Sequence, residues 1–74
     1  DVRVNALAPG YVVTDLTESV IENDDLYESI IDRTPIERFA DPEEIAGPAV
    51  FLASDLASFV TGSCLVVDGG WTAR

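Results

Sequence analysis

The residue pattern predicts an α/β chain laid out as a strand, a helical stretch and a second strand, the order of a βαβ unit with parallel strands and a right-handed crossover. Three observations carry this expectation. Val2 to Ala8 alternates partly between apolar and polar residues before Pro9-Gly10; Asp41-Pro42-Glu43-Glu44 is a strong helix start; Cys64 to Val67 is a continuous apolar run closed by Asp68-Gly69-Gly70.

Taken in order, Val2 to Ala8 reads as a short strand ending at the Pro-Gly turn. Asp15, followed three residues later by Glu18, fits a capping box in which each side chain accepts an orphan amide hydrogen of the first turn, so a helix is expected to start near Leu16. The apolar positions Leu16, Val20 and Ile21 give way at Asn23-Asp24-Asp25, and Leu26, Tyr27, Ile30 and Ile31 resume at helical spacing. Two short helices with a break between them, ended by Thr34-Pro35, are therefore expected. In the next helix Asp41 can cap, Pro42 suits the first position with its fixed backbone angle, and Glu43 and Glu44 complement the helix dipole. It should run from Pro42 to about Ser54, with Pro48 costing one ladder hydrogen bond and kinking the stretch from Glu44 to Pro48. Thr61-Gly62 breaks the chain again. The unbroken apolar character of Leu65 to Val67 predicts a strand covered on both faces. Cys64 reads as a small buried hydrophobe, since nothing nearby supplies the cationic surroundings of a reactive thiol.

Composition narrows the possible functions. With 74 residues, one small core is the most the chain can build. One cysteine and no histidine leave no internal disulfide and argue against a structural metal. Hydrophobic residues make up 47% of the chain, yet no apolar run approaches the roughly 20 residues of a membrane span. The expectation is a soluble, cytoplasmic, globular piece. Four basic residues against fourteen acidic ones give a net charge of -10, which argues against nucleic acid and against an anionic membrane surface as partners. The same acidity reads either as a solvated surface or as adaptation to high salt. The absence of methionine and the start at Asp1 read as a fragment. One βαβ unit leaves a strand edge and a sheet face open, so more protein is expected around it.

Longer motifs add a resemblance. Asn5-Ala6-x-x-Pro9-Gly10-x-x-x-Thr14 resembles the segment that follows the sixth strand of short-chain dehydrogenases/reductases. Arg33-Thr34-Pro35-Ile36-x-Arg38-Phe39, followed by Asp41-Pro42-Glu43-Glu44-Ile45-Ala46, is similar to that family's entry into its last large helix. Phe51-Leu52-Ala53-Ser54-Asp55, Phe59-x-Thr61-Gly62 and Val67-Asp68-Gly69-Gly70 resemble its terminal strand and tail. The match covers essentially the whole chain, in order and at the family's spacing. It implies that residues 1–74 are the C-terminal βαβ portion of a single Rossmann-type, doubly wound parallel sheet domain, from an NAD(P)-dependent oxidoreductase acting on alcohol/carbonyl substrates.

The resemblance also implies roles for particular residues. Pro9 and Gly10 would let the backbone pass close to the nicotinamide of NAD or NADP, Val12 would offer its backbone to the carboxamide, and the Thr14 hydroxyl would hydrogen-bond the same group. The break at Asn23 to Asp25 falls in the family's substrate lid, so Leu16, Val20, Leu26 and Tyr27 become candidates for substrate contact, with packing on the body as their other reading. Arg38 would brace its loop, and Glu43 and Glu44 would cap. No catalytic residue is assigned. The family's serine and its Tyr-x-x-x-Lys pair precede this region, and here Tyr11 is followed at that spacing by Asp15 and Tyr27 by Ile31. The chain alone is expected to be inactive. Its implied partners are the remainder of the domain, a small-molecule alcohol or carbonyl compound, and further copies of the subunit in a dimer or tetramer through Pro42 to Ser54 and Ser63 to Val67. Within the family, 3-oxoacyl-[acyl-carrier-protein] reductases and sugar or polyol dehydrogenases share very similar tails. An alternative of another class is a freestanding acidic interaction module with this fold and no chemistry.

Overall fold

The computed structural model describes residues 1–73. Strand β1 (Ala6–Pro9) is followed by a 3-10 turn (Asp15–Thr17), helix α1 (Glu18–Ile21), helix α2 (Asp24–Asp32), helix α3 (Pro42–Ala53), a second 3-10 turn (Asp55–Ala57), strand β2 (Cys64–Val67) and a terminal 3-10 turn (Trp71–Ala73). The two strands pair in parallel, with Ala6 opposite Cys64 and Pro9 opposite Val67. The predicted α/β order is therefore present as a small parallel sheet crossed by helices.

The first strand is shorter than its alternation suggests. Gly62 takes a positive φ of 74° and turns the partner chain away, so Val2 to Asn5 have no strand to pair with. They are tied down instead by scattered bonds. The Gly62 amide donates to Val4 O at 2.8 Å, and the Asn5 side chain both donates to Val60 O and accepts from the Ser63 amide, each at 3.0 Å. Arg3 reaches the carbonyls of Leu52 and Ser54 at the C-terminal end of α3, and that of Val60. A cation is well placed there, because the free carbonyls make a helix C-terminus negative.

The helices follow their sequence signals with one displacement. The first turn starts a residue early. Thr14 is its cap, in extended backbone at φ -146° and ψ 173°, and its amide donates to Thr17 Oγ1 at 2.9 Å. The reciprocal partners are thus Thr14 and Thr17 rather than Asp15 and Glu18. Asn23 caps α2 by accepting from the Leu26 amide at 3.1 Å. At α3, Glu44 accepts from the Asp41 amide at 2.9 Å while both its oxygens take the Arg38 guanidinium, at 2.6 and 2.7 Å. The bonds from Arg38 and then from the Asp41 amide hold the Glu44 carboxyl down at about 2. Arg38 thus acts as the expected brace and Glu44 as the expected cap. Helix α3 continues through Pro48 and ends at Ala53.

The core is small. Among the described residues Ile30, Phe39, Ala57 and Thr34 are buried, and Thr34 satisfies its hydroxyl on Ile30 O at 2.8 Å. Around Phe39 runs a row of rings: Tyr27 and Tyr11 each lie 5.3 Å from it, Trp71 lies 5.4 Å from Tyr11, and the Arg33 guanidinium sits 4.3 Å above the indole. Tilted and edge-on ring pairs of this kind add roughly 0.5–1.5 kcal/mol each beyond their buried area. They join α2, the loop after β1 and the C-terminal turn.

Two expectations about β2 do not hold. Cys64 is exposed, and Val66 on the same face is half exposed, while Leu65 and Val67 turn inward. The strand is covered on one face because only one layer of helix packs on the sheet. Every acidic residue except Asp68 is exposed. Among the described residues no helix is long and apolar enough to cross a membrane, and no group of histidine, cysteine or acidic side chains has the arrangement of a metal site.

Candidate functional site

Beyond Pro9 the chain leaves β2 and pairs briefly with another segment. The Val13 amide donates to Ala40 O at 2.8 Å and the Ala40 amide to Tyr11 O at 2.9 Å, a single parallel bridge centred on Val12 and Ala40. In such a bridge the central residue's own N–H and C=O point to the opposite side. Val12 therefore turns both groups away from Ala40. Its carbonyl accepts from the Thr17 hydroxyl at 2.6 Å. Its amide has no partner among the described residues.

Thr17 Oγ1 holds the next peptide as well. It accepts from the Thr14 amide at 2.9 Å, and its single proton goes to Val12 O rather than to Thr14 O, which is 3.1 Å away. The Thr14 hydroxyl faces the Thr17 amide as the acceptor of the capping box and lies 3.5 Å from Thr17 Oγ1; its proton is committed to no short bond, and it is exposed. Two residues apart, then, the chain presents an unpaired amide donor and a hydroxyl with capacity to spare. A primary carboxamide matches that pair, because its oxygen accepts from an N–H and its NH2 donates to a hydroxyl.

The structure brings Val12 and Thr14 together and sets Pro9 and Gly10 apart from them. Pro9 ends β1, exposed, and the Gly10 amide donates to Val67 O at 3.0 Å. Both line a concavity of about 300 Å3 whose far wall is Val66, Asp68, Trp71 and Thr72; Val12 and Thr14 are not part of its lining. A Cβ on Gly10 would meet Asp68 Cα at 2.8 Å, so the need for glycine at this position comes from the neighbouring strand end. Of the lid candidates, Leu16 is 92% exposed and touches no core, Leu26 is partly exposed, and Tyr27 is held against Phe39.

Several contributors carried no functional reading in the sequence. Asp68 is more than a turn residue: its carboxylate takes the Gly70 amide at 2.9 Å, the Thr72 amide at 3.0 Å and the Thr72 hydroxyl at 2.8 Å. These bonds, the Thr72 hydroxyl foremost, lower its pKa and fix the C-terminal turn against the concavity. Gly70 at φ 95° lies flat on Pro35, where a Cβ would come within 2.7 Å of the ring. Thr17 had a legible signal, because Thr14-x-x-Thr17 has the same spacing as the Asp15-x-x-Glu18 pair one residue later. The row from Tyr27 to Trp71 had none, its members being scattered along the chain.

Comparison with known proteins gives this geometry a family. Residues 1–72 match the family described as enoyl-(acyl carrier protein) reductase. The chain is 56% identical over 71 residues to galactitol 2-dehydrogenase (L-tagatose-forming) of Cereibacter sphaeroides, covering 96% of this chain and 28% of that protein. It is 51% identical over 73 residues to 2-dehydro-3-deoxy-D-gluconate 5-dehydrogenase of Pseudoalteromonas atlantica, covering 99% and 29%. Among solved structures, gluconate 5-dehydrogenase of Burkholderia cenocepacia in complex with NADP and tartrate superposes with a TM-score of 0.90 at 39% identity, over 97% of this chain and 28% of that one. A 4-hydroxyisoleucine dehydrogenase complexed with NADH superposes at 0.94 with 40% identity, over 99% and 30%. The chain thus spans under a third of the length of these relatives. Matched along nearly all of its length by sequence and by backbone, it belongs to the short-chain dehydrogenase/reductase family.

Proposed function

We propose that this chain is the C-terminal part of an NAD(P)-dependent oxidoreductase acting on the hydroxyl or carbonyl group of a small molecule, and that it supplies the loop that receives the nicotinamide carboxamide. The observation that carries the reading is the Val12 amide, turned out of the bridge with Ala40 and left without a partner two residues before the Thr14 hydroxyl. When bound, the nicotinamide supplies the hydride acceptor or donor. Val12 would then donate its N–H to the carboxamide oxygen, and Thr14 would hold the amide nitrogen, so that one ring face is presented to substrate. Pro9, Gly10 and Asp68 shape the strand ends behind that loop.

The names of the relatives support a polyol or sugar acid as substrate class. The pyrophosphate and ribose sites of such a domain, and its proton-transfer residues, would come from the remainder of the domain; the present 74 residues contain no lysine. The exposed Val50 and Phe51 on α3 and, separately, the half-exposed Val66 on β2 are proposed as surfaces against further copies of the subunit.

Thr14→Val in the complete enzyme tests the carboxamide contact, since valine keeps the shape and removes the hydroxyl. One neutral hydrogen bond, at about 0.5–1.5 kcal/mol, corresponds to a loss of roughly two- to twelvefold in NAD(P)H affinity, without loss of fold. Titration of cofactor fluorescence is the readout. Unchanged affinity and unchanged turnover would contradict the assignment.

A further inference from the structure

We infer that Thr17 is a positioning residue for the carboxamide site, and that its single hydroxyl sets the geometry of both Val12 and Thr14; the inference rests on the reading of that loop proposed above. The hydroxyl is oriented backwards along the chain. Thr17 stands at the N-cap of α1, where a threonine ordinarily accepts a bond from its own helix, yet its side chain makes no such bond. It donates instead to Val12 O at 2.6 Å and accepts from the Thr14 amide at 2.9 Å.

The consequence follows from which peptide planes are held. The plane joining Tyr11 to Val12 is anchored at Tyr11 O by the Ala40 amide. The plane joining Val12 to Val13 is anchored at both ends, at Val13 N by Ala40 O and at Val12 O by Thr17. The plane joining Val13 to Thr14 is anchored at Thr14 N by Thr17 alone. Every torsion between the outward amide of Val12 and the extended backbone of Thr14 thus depends on Ala40 from one side and Thr17 from the other. Ala40 contributes backbone groups only, which no substitution short of proline removes. Thr17 is the one side chain in the arrangement. It also opens the first lid helix, so the cofactor-facing loop and the lid share one hydroxyl.

The test uses the complete enzyme with Thr17→Val, Thr17→Ser and Thr14→Val. Affinity is measured for NADH or NADPH, for its 3-acetylpyridine analogue, in which a methyl group replaces the carboxamide NH2, and for ADP-ribose or its 2′-phosphate, which has no nicotinamide. Thr17→Val is expected to weaken the reduced cofactor by about two- to twelvefold, the effect of one neutral hydrogen bond. It should narrow the preference over the acetylpyridine analogue and leave the ADP-ribose affinity unchanged, a pattern that a general loss of stability would not produce. Thr17→Ser, which keeps the hydroxyl, should stay within about twofold of the parent. The double variant with Thr14→Val should be little worse than either single one, because both act on the same contact. If Thr14→Val weakens binding while Thr17→Val does not, the role of Thr17 is overturned and the carboxamide site stands. If neither does, the site itself is wrongly placed. Should Thr17→Val fail to fold, the serine variant decides: a loss as large as that of Thr14→Val would overturn the assignment.

Discussion

The two ends of the sheet's surroundings differ in kind. Past the C-terminal ends of β1 and β2, the loops are tied to one another by side-chain and backbone hydrogen bonds. Thr17, Asp68 and Ala40 hold that region through bonds of 2.6–3.0 Å. Two other surfaces are apolar and bare: the outer side of α3, where Val50 is 66% exposed, and the uncovered face of β2, where Val66 is 49% exposed and Cys64 is open. The difference teaches that hydrogen-bonded loops close on themselves locally, whereas an apolar face is finished only by another layer. The Val12 amide stands out in the first region because the bridge with Ala40 turns it outward two residues before the Thr14 hydroxyl. The bare surfaces offer no polar group so placed, only area to be covered.

The largest expected effect breaks the second half of that comparison. If the exposed face of β2 is a subunit contact in the complete enzyme, Val66→Asp places an unpaired charge there, at a cost of about 3–5 kcal/mol. Sedimentation or light scattering should then report a smaller assembly with the fold retained. An unchanged assembly would leave that face to the enzyme's own remaining layers.

Gly10→Ala addresses the satisfied end. Its new methyl would sit 2.8 Å from Asp68 Cα, a backbone atom that cannot swing aside, so the strand ends must part. Overpacking of this kind costs about 1–3 kcal/mol, to be read from the urea midpoint of the complete enzyme. Wild-type stability would mean that the strand ends yield more readily than their bonds suggest.

The smallest effect concerns Glu44. Its pKa is lowered from 4.5 to about 2 by Arg38 and the Asp41 amide, so its contribution to stability is present above pH 4.5 and is lost as pH falls towards 2. Glu44→Gln should therefore be less stable than the parent at neutral pH, with the two melting temperatures converging over that window. Arg38 and Glu44 are each about half exposed, and solvent screening keeps the difference small. A gap that stays constant down to pH 2 would argue against the pairing.

Much of this organisation was legible in the residues. The bounds of β2 and the start of α3, with Asp41 capping and the glutamates complementing the dipole, each rest on neighbouring residues and on backbone rules that need no tertiary context, whereas the bracing role of Arg38 came from the resemblance. The first helical turn was read one residue late because two overlapping pairs share a spacing, and extended backbone at Thr14 favours the threonines over Asp15 and Glu18. The strand at Val2 to Asn5 could not be rejected from alternation alone, since what ends it is the turn at Gly62, far along the chain. Cys64 was read as buried because an apolar run does not say how many layers will cover it. Within the site, Val12 and Thr14 came from the resemblance, while the freedom of the Val12 amide depends on Ala40, nearly thirty residues away, and became visible only in the fold.

The claim that joins these observations is that Val12 and Thr14 together receive the nicotinamide carboxamide. A crystal structure of the complete enzyme with its bound cofactor tests it most directly. The account predicts the carboxamide oxygen at about 2.7–3.2 Å from Val12 N, with the carboxamide nitrogen within hydrogen-bonding distance of Thr14 Oγ1. A carboxamide held by other groups, with the Val12 amide facing water, would contradict it.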